Sequence, residues 1–150
     1  MSNQKTWLLV LRIVTGWYFM WAGLNKIINP NWSASTYLLG AKNFTSFYHW
    51  LAGPSLIQGI NFVNEWGLFL LGLSLIFGVG MRISSWLGAA LMLLYYAAAF
   101  VLPTTSSSMF LVDQHILLIA TLLFFGAYAK SNLSRVGDWL KRRGLPTWLL

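Results

Sequence analysis

Lys26, Glu65, Asp113 and His115 are ionisable residues placed at or just inside the ends of long apolar stretches. Charge is expensive in such a setting and is retained where it has a task. An ammonium, two carboxylates and an imidazole together can hydrogen-bond a polar head group and pass protons to or from it. Trp21, Tyr95 and His115 lie at similar depths, roughly 6–12 Å inside the helix ends at about 1.5 Å per residue. They would wall a pocket whose proton-handling groups are His115, Asp113 and Glu65, with Lys26 beside them. Each residue also has a purely structural reading. Lys26 and Glu65 are candidates for a structural ion pair, because a buried pair avoids a stranded charge, and Asp113 is an alternative partner for Lys26. His115 can equally be a satisfied core histidine. On a regular helix Asp113 and His115 point about 160° apart, so they share a pocket only if the first turn is irregular.

The elements that must position these residues are four apolar stretches, roughly Trp7–Asn25, Phe62–Gly80, Ile83–Leu102 and Met109–Ala129. About 20 residues of helix match the roughly 30 Å hydrocarbon core of a bilayer. The expectation is an all-α membrane protein, a four-transmembrane-helix bundle in which residues 1–150 form a single domain. Met1–Thr6 is short and polar and no small-residue cleavage site follows the first stretch, which reads as a retained helix. With 57% hydrophobic and 9% charged residues, there is no room for a separate soluble domain. Cysteine is absent, which excludes thiol–disulfide chemistry and thiolate-held iron–sulfur or zinc sites in this chain.

The net charge of +7 reports orientation rather than nucleic-acid binding. Four spans put both termini on one side with Lys5, Arg82, Lys130, Arg135, Lys141, Arg142 and Arg143, and leave Lys26 and Lys42 on the other. The positive-inside rule makes the chain a multi-pass plasma-membrane protein with both termini cytoplasmic. Trp139 and Leu140 among basic residues predict a C-terminal helix lying on the anionic membrane surface. Arg12 has no acid at its depth and is expected to snorkel to lipid phosphate or polar backbone.

Between the first two spans, Tyr37, Ala41, Phe44, Tyr48 and Leu51 recur at three- and four-residue steps, opposite Ser35, Lys42, Ser46 and His49. They predict one amphipathic outer helix, either a lid over the pocket or an interfacial anchor with Trp32, Phe47 and Trp50. Gly53-Pro54 should end it. Thr104–Ser108 is a polar loop suited to capping the fourth helix. Two histidines with carboxylates raise a metal site, but His49 falls on the polar face, so no metal or haem is expected. No nucleic-acid-binding module is recognisable.

In the first span Arg12, Gly16, Phe19, Gly23 and Lys26 fall on one stripe that should face the bundle, its glycines admitting a neighbouring backbone. Glu65, Phe69, Gly72 and Ile76 make a matching face on the second, and Gly88, Met92, Tyr95 and Ala99 on the third. Gly78, Gly80 and Arg82 mark a tight inner turn. The first stripe, the run Glu65-x-Gly67-x4-Gly72-x5-Gly78-x3-Arg82 and the segment Val112-Asp113-Gln114-His115 resemble the DoxX family. So do Asn29-Pro30-Asn31-Trp32-Ser33-Ala34 and Gly40-Ala41-Lys42, and the resemblance covers about Leu8 to Lys130. That family includes the small DoxD subunit of thiosulfate:quinone oxidoreductases.

The resemblance implies a four-helix membrane protein near the respiratory chain, with quinone as the ligand of the outer pocket. A quinone exchanges two electrons and two protons, and the residue types above suit that task. Two functions follow. One is a quinone-reactive membrane subunit of an oxidoreductase, with His115, Asp113 and Glu65 handling protons and Trp21, Lys26 and Tyr95 forming the pocket. The other is a redox-inert accessory subunit that anchors a larger complex. Lipid is a partner in both, and further subunits or a second copy of the chain are expected.

Overall fold

The computed structural model describes residues 3–100, 112–128 and 142–144, and within them the ordered elements are helices. They are α1 (Asn3–Ile28), α2 (Ser35–Leu39), α3 (Thr45–Leu51), α4 (Ile57–Phe77), α5 (Met81–Ala99) and α6 (Gln114–Tyr128). α1 and α4 are long and apolar enough to cross a membrane, and α6 is a shorter apolar helix. Large apolar side chains cover the outside: Trp7, Val14, Trp17, Leu70, Leu87 and Leu117 are all more than half exposed. A surface of that kind is at home in hydrocarbon, where it costs nothing to leave it uncovered.

α1 packs along α4, α5 along α6, and α4 meets α5 to join the two pairs. The α1 stripe faces inward as its spacing predicts, with Arg12, Gly16, Phe19 and Gly23 all buried. Its glycines bring the α1 and α4 backbones into contact. A Cβ on Gly23 would fall 2.4 Å from the Phe69 amide nitrogen, and one on Gly72 would fall 2.2 Å from that of Met20. The second-span face at Glu65, Phe69, Gly72 and Ile76 is therefore the one that meets α1. Phe19, Leu68, Leu75, Met92, Leu122 and Phe125 anchor the core between the pairs. The inner turn is built on Gly78 (φ 71°) and Gly80 (φ 66°), left-handed positions where a side chain is strained. Arg12 does not snorkel outward: it is buried, and Nη1 lies 3.8 Å from the Met81 sulfur at that turn.

The outer segment departs from the single amphipathic helix that its periodicity predicts. Gly40 ends α2, and α3 starts only after Phe44, which takes a left-handed conformation (φ 49°) and is exposed. The interruption serves α5, whose final carbonyls have no intrahelical partner. The Lys42 amide donates to Ala98 O at 2.8 Å, while the Asn43 side-chain amide donates to Ala97 O and Phe100 O. Tyr48 donates to Leu94 O at 2.8 Å, and Ala34, Leu38, Ala41, Tyr48 and Ala98 close a small second core. Of the expected inward face, Ala41 and Tyr48 are thus inside and Phe44 is outside. Gly53-Pro54 does lie in the turn after α3.

The fourth helix also starts later than its apolar stretch suggests. Val112 and Asp113 are not helical, and α6 begins at Gln114. The capping role given to Thr104–Ser108 and the basic C-terminal helix before Arg142 lie outside the described residues.

Candidate functional site

The outer end of the bundle holds a half-open cavity of about 1020 Å³ between the ends of α1, α4, α5 and α6 and the Asn29–Lys42 segment. Lys26, the last basic residue of α1, reaches across to α5 and donates a hydrogen bond from Nζ to Tyr95 Oη at 3.2 Å. The same ammonium stands 4.6 Å from the centre of the Trp32 ring, a cation–π contact. Tyr95 passes the chain on by donating its hydroxyl proton to Asn64 Oδ1. Asn64 is buried and anchored in turn, its side-chain amide donating to Ile60 O at 2.7 Å. Tyr37 donates to the Tyr95 carbonyl at 2.7 Å and sets its ring edge-on to that of Tyr95, with centroids 5.4 Å apart. Burial pushes the Tyr37 hydroxyl above the ordinary tyrosine range, aided by the nearby Tyr48 and Asp113, so it stays a donor.

On the facing side Asp113 caps α6. Its Oδ1 accepts the backbone N–H of His115 at 2.9 Å and of Ile116 at 3.2 Å, satisfying donors that a helix start leaves open. Oδ2 lies 2.6 Å from His115 Nδ1. With the carboxylate ionised, Nδ1 carries a proton and donates it to Asp113, which leaves Nε2 to accept a hydrogen bond in the imidazole form and to donate one in the imidazolium form. The His115 ring meets Tyr95 edge-on at a centroid distance of 6.1 Å. The side chain of His115 is only 18% exposed and that of Asp113 37%, so the dyad runs from the cavity wall, which His115 lines, toward the surface.

Lys26, Tyr95 and His115 come together as the sequence suggests, with Asp113 attached to His115. Because Asp113 precedes the helix rather than lying within it, the 160° separation of a regular helix does not apply. Two expected residues fall elsewhere. Trp21 is half exposed and stacks on Trp17 at 6.3 Å on the outer face, because it sits two positions from both Phe19 and Gly23 and so points away from the buried stripe. No Glu65 carboxylate oxygen lies within 4.0 Å of Lys26 Nζ, so the candidate salt bridge is not formed, and only longer-range attraction links the two charges. Its backbone lies against Gly23, and its side chain lines neither the outer cavity nor the smaller one beside it.

Asn64, Trp32 and Tyr37 complete the site. A lone amide in an apolar span is itself a signal, whereas Trp32 reads from sequence as an interfacial anchor. Among the described residues no three His, Asp or Glu side chains gather closely enough to hold a metal ion.

A helical bundle with membrane-spanning helices and a polar, aromatic cavity at one end defines the class. The chain belongs to the DoxX family, whose model matches residues 7–114, and it is a membrane protein of the DoxX type. No curated protein and no solved structure matches it.

Proposed function

We propose that the chain is a four-span membrane subunit of a quinone-dependent oxidoreductase, with quinone held in the outer cavity. The observation that carries this reading is the convergence of Lys26 Nζ, Tyr95 Oη and the Asp113-backed His115 on one cavity with aromatic walls. The fit rests on donor chemistry. An ammonium and an imidazolium backed by Asp113 offer hydrogen bonds to a carbonyl oxygen, Tyr37, Tyr95 and Trp32 offer ring faces and edges, and the volume exceeds that of a ring with its first tail carbons. When bound, a quinone supplies two-electron, two-proton redox chemistry. His115 gives a proton at the oxygen as imidazolium or takes one there as imidazole, and Asp113 positions the ring. Lys26 holds the oxygen electrostatically, and Asn64 fixes the Tyr95 hydroxyl.

His115→Ala should weaken binding of toluquinone and menadione about three- to tenfold, the worth of one hydrogen bond, and leave the Tm of the detergent-solubilised protein nearly unchanged. Unchanged affinity in His115→Ala and Asp113→Asn alike would leave the redox-inert accessory subunit as the better reading. The cation distribution supports a four-span arrangement with both termini and Arg82 in the cytoplasm. In intact cells a cysteine at Arg82 should be shielded from an impermeant thiol reagent and one at Thr36 labelled. The reverse pattern would invert the topology and put the cavity on the inner face.

A further inference from the structure

Lys26, Tyr95 and His115 line two cavities. Besides the outer one they border a half-open space of about 140 Å³ that Tyr18, Phe19, Ala22, Leu68, Met92 and Leu118 also line. On α1, α5 and α6 the added residues stand farther from the outer end than the shared one, and on α4 Leu68 lies one turn beyond Asn64 of the outer cavity, so the small cavity lies below the large one with the polar trio at the junction. We infer that the small cavity is a seat for a single six-membered ring, so that the site takes monocyclic quinones in preference to fused bicyclic ones. This rests on the quinone reading above and adds the ligand class.

Size is the first argument. An apolar cavity of about 150 Å³ accepts one benzene ring, and the inner space matches that volume closely. The outer cavity, at about 1020 Å³, would accept one ring or two and sets no limit. Rigidity is the second. Phe19, Leu68 and Met92 are 0%, 2% and 3% exposed and belong to the central core, so a second fused ring directed inward against that wall would have to displace close-packed side chains. Polarity is the third. The walls are apolar, with Met92 offering a sulfur to a ring. Hydrogen-bonding groups gather at the junction, where Lys26 Nζ and Tyr95 Oη lie 3.2 Å apart. A ring entering from above therefore keeps one oxygen at the trio while its carbon edge fills the seat, and its substituents extend into the outer cavity.

Toluquinone and menadione carry the same methyl group and differ by the fused ring, so their dissociation constants with the full-length protein in detergent test the seat directly. Cysteine is absent, so thiol addition does not interfere. Toluquinone should bind about tenfold more tightly than menadione. Leu118→Ala, which enlarges the seat, should bring menadione to parity, and Ala22→Leu, which fills it, should weaken toluquinone by about tenfold. If Ala22→Leu fails to fold, Leu118→Ala decides alone. Equal affinities, or tighter menadione, that neither variant alters would overturn the ring seat. The quinone reading would stand in that case if His115→Ala still weakened both ligands. Binding of neither ligand would sink the reading and the seat together.

Discussion

The seam between α1 and α4 is closed at one end and open at the other. From Gly16 to Gly23 the helices touch backbone to backbone, and no atom larger than hydrogen fits at Gly72 or Gly23. One turn farther out on α1 the same stripe carries Lys26, and α4 brings Asn64, and here the space between the helices is a polar cavity. A single register at three- and four-residue steps thus runs from a structural device into a candidate site, and residue size alone marks the change. Helices in lipid have no hydrophobic drive to associate, so close packing must hold them. The glycine end supplies that contact, and the outer end is left free to keep its side chains apart.

The largest effect expected from this contrast lies at the closed end. Gly72→Ala puts a methyl 2.2 Å from a backbone nitrogen that has no rotamer to change, so the helices must separate. The loss should reach about 3 kcal/mol, the upper range of overpacking costs. Gly67, on the same helix, has Val63 Cγ1 at 3.9 Å as its nearest neighbour. Gly67→Ala should be neutral or add up to about 1 kcal/mol, because alanine favours the helix. Thermal unfolding of both variants in detergent measures the difference, and an unchanged Tm for Gly72→Ala would break the comparison.

How far this was legible in the sequence depends on what each inference needed. The buried stripe and the inner glycine turn follow from helical periodicity and residue size, which local physics sets. The meeting of Lys26, Tyr95 and His115 follows from depth along helices of known rise. Trp21 fails because depth says nothing about direction around the axis, and the stripe itself already assigned it to the opposite face. Glu65 and Asn64 are neighbours about 100° apart, so a small rotation of α4 decides which one enters the cavity. The Asp113–His115 contact hinges on the helix starting at Gln114, a boundary that an apolar run does not mark. The break between α2 and α3 answers to the unpaired carbonyls at the end of α5, a tertiary demand invisible to the periodicity of the outer segment.

Two smaller effects sharpen the open end by asking what holds Lys26. Tyr95 accepts its hydrogen bond and donates to a buried Asn64, so Tyr95→Phe leaves an amide oxygen and an ammonium each short of a partner. Stranding such groups costs about 1–3 kcal/mol. Glu65→Gln keeps the shape of a side chain that is half-buried and more than 4.0 Å from the Lys26 ammonium, and it removes only the longer-range attraction. Its cost should stay within about 0.5 kcal/mol, as for a substitution that breaks no contact. Measured side by side by thermal unfolding in the same detergent, the two should separate clearly, with Tyr95→Phe the less stable. A Glu65→Gln loss as large as that of Tyr95→Phe would restore the ion pair as the anchor of Lys26. It would also move the boundary between seam and site one residue along α4.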